Sequence, residues 1–198
     1  MLASKVGKRM NFYIESLALK RDSQTGEYFD PLPKYEEPAD LMGNSIADLD
    51  AAYPFQLITY KPAFHTQSRT ALDPSLMMLQ PENFVEMNAS DGSVLGLENG
   101  DTVRMYGPSG GTVSGRVKLT QGMKPGVVAI ANSYGHWELS SRPHILDGEV
   151  SDYDASRGAG IHSNSLMRLD NKLGDVCLQD KVGGSASYYD TRIRIERV

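Results

Sequence analysis

TVRMYGPSGGTVSGRVKLTQGMKPGVVAIA, residues 102–131, decides the fold. Thr102 to Tyr106 alternates, with Val103 and Met105 on one face, the period of a half-buried strand. Gly107-Pro108-Ser109-Gly110-Gly111 makes a hairpin connection. Thr112 to Leu119 then returns, with Val113, Val117 and Leu119 apolar and Arg116 and Lys118 polar. Met123-Lys124-Pro125-Gly126 reads as a turn, because Pro125 presets φ and Gly126 accepts the left-handed position. Val127 to Ala131 is a continuous apolar run, hence a strand covered on both faces.

Working outward, the same texture continues. Phe55 to Tyr60 is a breaker-free β-branched and aromatic run, which predicts a buried strand. Asp73 to Leu79 predicts a short helix with Asp73 as N-cap and Pro74 at its first position; Pro81 stops it. Phe84 to Asn88 reads as a short strand, and Ser90 to Leu97 as a helical turn leading to the Asn99-Gly100-Asp101 turn. At the far end, Thr191 to Val198 alternates cleanly and closes a sheet. Many short strands, few helices and abundant glycine turns predict a mainly β fold, a closed β-barrel with a few short helices. Residues 132–190 are long and weakly patterned, and a stretch of that length inside a compact domain is more often functional than idle.

Upstream of Pro54 the composition changes. Residues 1–21 hold five bases against Glu15, whereas residues 22–52 hold eight acids against Lys34 together with Gly26, Pro31, Pro33, Pro38 and Gly43. That segment predicts an irregular, mostly extended arm with little helix. Asn11 to Leu19 carries an apolar run that suits a strand followed by a turn. The chain therefore divides into a connector arm, 1–52, and a barrel domain, 53–198.

Composition narrows the function classes. The 198 residues carry 20 Lys and Arg against 25 Asp and Glu, a net charge of −5. A general nucleic-acid binder needs a basic surface to replace counterions, so none is expected. No run approaches 18 apolar residues, so no membrane insertion is expected. The single cysteine, Cys177, excludes an internal disulfide framework and any all-cysteine iron–sulfur or zinc site within the chain. Met1 to Lys8 has no apolar core of signal-peptide length. His65, His136, His144 and His162 have no zinc-pair spacing, and neither a GxSxG elbow nor a P-loop occurs, so no metal site or autonomous catalytic site is expected.

Four polar loops are better binding candidates. Lys61-Pro62-Ala63-Phe64-His65-Thr66-Gln67-Ser68-Arg69-Thr70 follows a buried strand, and its hydroxyls, amides and arginine fork suit an anion; the same residues suit a solvated polar loop. Ser133-Tyr134-Gly135-His136-Trp137 places the one tryptophan beside a histidine and a close-approach glycine. It forms either a wall of a heterocycle pocket or a tryptophan packed under a loop. In Gly158 to Ser165, Asn164 suits the edge of a ring with donors and acceptors, and also suits an ordinary turn. Gly183 to Asp190 is a Gly/Ser loop before the last strand, or a tight turn capped by aromatics.

In this order, LITYKPAFHTQSRT (57–70) and VEMNASDGSVLGLENGDTVRMYGPSGGTVSGRVKLTQGMKPGVVAIANSYGHWE (85–138) resemble the C-terminal molybdopterin-dinucleotide-binding domain of the molybdopterin oxidoreductases, the dimethyl-sulfoxide-reductase superfamily. The resemblance covers about residues 54–198, and residues 1–52, with Gly7-Lys8 and PLPKYEEP, are similar to the connector that precedes that domain. VGGSASYYDTRIRI and HTQSRT look most like tetrathionate reductase catalytic subunits, with arsenate and thiosulfate or polysulfide reductases next.

The resemblance implies a double-psi β-barrel that covers molybdenum held by two pterin guanine dinucleotides without supplying the metal's ligand. It implies a fragment with no complete active site, inactive and cofactor-free alone. Its implied partners are the remaining domains of a catalytic subunit, together with an iron–sulfur electron-transfer subunit, on the outer face of the cytoplasmic membrane. The cofactor-binding residues it implies are Thr66, Gln67, Ser68, Arg69 and Thr70, with Lys61 and His65 adjacent, then His136, Trp137 and Asn164, and in the last loop Ser185, Ser187 and Tyr188. Many relatives carry a basic residue in that last loop, where this chain has serine and tyrosine. The rivals are a double-psi barrel used for protein docking and a small hydrolase or decarboxylase on the same barrel.

Overall fold

A computed structural model describes residues 12–46, 52–138, 140–170, 172–174 and 176–198. The barrel strands are β1 (Phe55–Tyr60), β2 (Val85–Asn88), β3 (Thr102–Tyr106), β4 (Thr112–Thr120) and β5 (Val127–Ala131). A two-residue hairpin, β6 (Ile145–Leu146) and β7 (Glu149–Val150), follows, and β8 (Arg192–Arg197) completes the set. Six strands close in the order β1-β5-β2-β4-β3-β8, with β8 bonded back to β1. The barrel is the mainly β, closed architecture expected from the alternation.

Strand direction is what positions a site. β1 pairs parallel with β5, from Gln56 beside Val127 to Tyr60 beside Ala131. β2 pairs parallel with β4, and every other pairing in the barrel is antiparallel. Thus β1, β3 and β5 run one way and β2, β4 and β8 the other. One rim collects the segments that leave β1, β3 and β5 and those that enter β2, β4 and β8. Asn132 N–H donates to the Tyr60 carbonyl (2.9 Å), which ties the exits of β1 and β5 together.

Burial follows from the sequence period. Phe55, Leu57, Val103, Met105, Ile193 and Ile195 face inward, and Val85, Met87, Val117, Val128 and Ile130 complete the lining. β5 is covered on both faces: Val128, Ala129, Ile130 and Ala131 are all buried. Two core residues, Ile161 and Leu166, come from the unpatterned stretch. Ile161 enters over Gly115 of β4, where any side chain would collide with its Cδ1.

Helices are short: α1 (Glu15–Ala18), α2 (Pro74–Met77) and α3 (Ala89–Val94). Asp73 caps α2 as expected, its carboxylate accepting from the Ser75 and Leu76 amides. Asn88 caps α3 through the Ser90 amide. The strand expected over Asn11 to Leu19 is corrected to a helical turn at Glu15–Ala18, Asn11 itself lying outside the described residues. The extended pairing comes later, where Arg21 bridges Tyr28 and Gly26 turns the chain at φ +76°. Residues 22–46 contain no helix. No helix among the described residues is long and apolar enough to cross a membrane.

The chain splits into two compact units, drawn from Met1–Asp48 with Asp170–Ser187 and from Leu49–Leu169 with Tyr188–Val198. The first is organised by two buried carboxylates. Asp40 accepts from the Met42 and Asn44 amides, and Asp170 from those of Leu41, Lys172 and Leu173. Burial opposes charge on Asp170, yet three amide donors hold its carboxyl below the ordinary value. The second unit holds the barrel.

The barrel has its own core, so the chain alone, without molybdenum, is expected to give a β-type circular dichroism spectrum and a cooperative melt. Ile161→Ala should lower its stability in a denaturant titration by about 2–5 kcal/mol, the usual loss for deleting a buried aliphatic side chain.

Candidate functional site

The first rim loop leaves β1 at Lys61. Gln67–Thr70 coil into a single 3₁₀ turn, with Gln67 in the left-handed region at φ +52°. The loop consumes one of its own hydroxyls: Thr70 Oγ1 accepts from the Thr66 amide (2.9 Å) and lies 2.9 Å from His65 Nδ1. His65 is 3% exposed, its ring packed edge-on against Phe64 and Tyr134. Tyr134 is fixed in turn by its hydroxyl, which donates to the Gln80 carbonyl. Burial pushes the His65 imidazole below its ordinary value, so the ring is neutral near pH 7. His65 Nε2 reaches no partner among the described residues. Lys61, Thr66, Gln67 and Arg69 are exposed, Ser68 and Thr70 half-buried.

The second loop leaves β5 beside the first. Ser133 stands at φ +84°, a strained position for a non-glycine residue. Gly135, at φ +71°, lets the 160–162 backbone approach so closely that a side chain there would overlap His162 N. Gly135 N–H donates to the Ala159 carbonyl (2.9 Å), which fastens this loop to the third. The loops thereby assemble an aromatic group. The His162 ring lies 4.9 Å from that of His136 and 4.7 Å from that of Trp137. His136 Nδ1 stands 3.5 Å from Glu138 Oε2. Burial first, and the neighbouring His136 second, push the His162 imidazole below its ordinary value. Its Nδ1 is buried and reaches no partner among the described residues.

The third segment continues through Ser163–Leu166, a 3₁₀ turn that leaves Asn164 exposed. It crosses to the β3–β4 turn at the same rim, where Gly107 and Gly111 clear the Leu166 and Ser165 carbonyls. Tyr188, exposed, lies in the approach to β8; the next residue's hydroxyl, on Tyr189, donates to the Thr59 carbonyl (3.2 Å).

Within the barrel unit, then, Lys61, His65, Thr66, Gln67, Ser68, Arg69, Thr70, His136, Trp137, Asn164 and Tyr188 all belong to segments of one rim. Ser185 and Ser187 belong to the other unit. There Ser185 is exposed on the return limb of a tight hairpin, its carbonyl accepting from the Asp180 amide, in which Gln179 bridges Ala186 and the Asp180 carboxylate accepts from the Gly183 amide. Sequence reasoning missed His162, whose single signal was a histidine after a small-residue run, and Asn83, which is wholly buried beneath the rim. No group of three His, Cys, Asp or Glu side chains able to hold a metal ion occurs among the described residues.

Comparison with known proteins gives the family. Residues 55–171 match the model of the family described as "Molydopterin dinucleotide binding domain". Over its whole length the chain is 41% identical to a selenate reductase subunit of Mesobacillus selenatarsenatis, covering 20% of that protein. Over 96% of its length it is 36% identical to a tetrathionate reductase subunit of Salmonella typhimurium, covering 19% of it. The chain therefore spans about a fifth of the length of these relatives. Acetylene hydratase from Pelobacter acetylenicus shares the fold, with a TM-score of 0.58 at 17% identity over 86% of this chain and 22% of the hydratase. The resemblance to tetrathionate reductases stands, and selenate reductase joins the relatives named from sequence.

His162 and His65 both have folded-state values below the unfolded one, so between the two the unfolded chain binds more protons. Their contribution to stability is complete above about pH 6.5, the ordinary histidine value, and is lost as pH falls through the folded values. An NMR titration should place the His162 midpoint below 6.5, and His136→Gln should raise it by removing a like charge.

Proposed function

This chain belongs to the molydopterin dinucleotide binding domain family, and on that premise we propose that its polar rim grips the pterin guanine dinucleotides of a molybdenum reductase. The observation that carries this reading is the state of the rim's polar atoms. Two buried ring nitrogens, His65 Nε2 and His162 Nδ1, lack partners among the described residues, and a buried polar atom without a partner is costly. Around them stand exposed donors that form no hydrogen bond or ion pair among the described residues: the side chains of Lys61, Gln67, Arg69 and Asn164. Such a rim suits a ligand that brings its own ring nitrogens and phosphate oxygens. A docking module has no reason to gather these groups at one end.

Roles follow from residue chemistry. The Arg69 fork suits paired charge-assisted bonds to phosphate, with Lys61 adding charge. Gln67 and Asn164 can each donate and accept against a fused heterocycle, and Thr66 and Ser68 can meet remaining oxygens. Trp137 offers a flat wall beside His136. Thr70 acts on the loop and not on a ligand, since its hydroxyl is engaged by His65 and Thr66. Two-electron oxygen or sulfur transfer at molybdenum is the chemistry that the bound group supplies; the domain's part is to bind, orient and exclude water. The relatives' names point to oxyanions of selenium or sulfur as the substrate class of the whole enzyme. Its partners would be the remaining domains of the catalytic subunit, together with an iron–sulfur electron-transfer subunit.

In the full-length subunit, Arg69→Ala should lower molybdenum content per protein. Loss of a charge-assisted phosphate contact, about 1.5–3 kcal/mol, corresponds to roughly ten- to hundredfold weaker binding. Metal analysis of purified protein checks this, and unchanged content removes Arg69 from the site.

A further inference from the structure

We propose that Asn83 is the positioning residue that holds the rim's second and third loops in register, and so places His136, Trp137 and His162. The inference rests on the reading of this rim as the cofactor face. Among the described residues, the stretch between the end of β5 and the start of β8 adds no strand to the barrel, so no ladder of strand hydrogen bonds holds the 158–166 segment. Something else must fix it.

Asn83 stands two residues before β2, wholly buried, on a chain segment held by the barrel. Its Nδ2 donates to the Ala131 carbonyl at 2.6 Å and to the Ile161 carbonyl at 3.0 Å. Its Oδ1 accepts from the Ile161 amide at 2.6 Å. One side chain thus bonds the last residue of β5, from which the His136 loop departs, and both backbone groups of the residue before His162. Both amide hydrogens and the amide oxygen are used, and the partners fix the orientation of the amide. Aspartate lacks the two donors, and alanine lacks all three contacts. Gly160 is cut to the same fitting: at φ +89°, a Cβ there would stand 2.6 Å from Asn83 Oδ1. Ile161, pinned on both backbone groups, drives its side chain into the barrel core, which leaves His162 to turn outward against His136 and Trp137.

The chain's one tryptophan, Trp137, is therefore a reporter of the latch. The variant is Asn83→Asp, which keeps the acceptor for the Ile161 amide and loses both donated bonds. Val103→Ala, a core change in the first half of β3, supplies a control whose melting temperature can be matched by adding denaturant. At pH 7.5, Asn83→Asp should shift Trp137 emission to longer wavelength and speed hydrogen exchange of the Ile161 amide relative to Val128 by roughly tenfold or more, as local opening replaces global opening. The matched control should do neither. Emission and Ile161 exchange that stay as in the parent, or that move equally in the control, overturn the proposal.

Should Asn83→Asp fail to fold, exchange in the unmodified chain decides. An Ile161 amide as slow as those of β5 supports the latch, and one exchanging at exposed-loop rates overturns it. These readouts need no cofactor. Molybdenum content of the full-length Asn83→Asp protein tests the rim's assignment separately: a shifted Trp137 with unchanged molybdenum keeps the latch and discards the cofactor reading.

Discussion

The structure depends on the parallel pairing of β1 with β5. Parallel strands cannot be joined by a tight turn, so each needs a long connection elsewhere, and the two must finish side by side. The carbonyl of Tyr60 receiving the amide of Asn132 is the physical join. From it follows the adjacency of two loops that are far apart in sequence. Barrel closure through β8 and β3 then brings the approach to β8 and the β3–β4 turn to the same end. A polar rim above an aliphatic core is the outcome, with every barrel strand paired to a neighbour on each side.

What that rim can do is set by what it leaves unspent. Hydrogen-bonding groups inside a protein are normally consumed by one another, as Thr70 is by His65 and Thr66. At this end, among the described residues, the exposed Lys61, Gln67, Arg69 and Asn164 side chains form no hydrogen bond or ion pair, and two buried ring nitrogens reach no partner. Two non-glycine residues, Gln67 and Ser133, hold left-handed backbone conformations in the loops concerned. Strain and unused polarity at one place are what the proposed ligand surface rests on. Membership of the dinucleotide-binding family supplies the class of ligand.

Much of the barrel is legible in the sequence because alternation is a local signal. Val103 with Met105, and Ile193 with Ile195, announce their strands over a few residues, and the apolar run at Val127–Ala131 announces burial on both faces. The helical turn at Glu15–Ala18 reads as a strand because so short a segment shows no helical period. Ile161 and Leu166 give no warning of burial, since they enter the core from a segment with no period. The loops of the proposed site stand out one by one in the sequence, through strings such as HTQSRT and SYGHW. Asn83 and His162 are not, because their roles arise from contacts across long stretches of sequence, as between Asn83 and Ile161, which no local pattern encodes. The burial of His65 is equally invisible: a histidine in a polar loop reads as exposed until Phe64 and Tyr134 are seen to cover it.

In the proposed reading, one end of this barrel holds the dinucleotide. Hydrogen exchange of the full-length protein, read with and without its molybdenum cofactor, decides this. Loading should slow exchange within residues 61–70, 132–138 and 158–166, with the turns at the opposite end, Asn99 to Asp101 and Gly122 to Gly126, unchanged. Slowing at those turns with none at the three loops would contradict it.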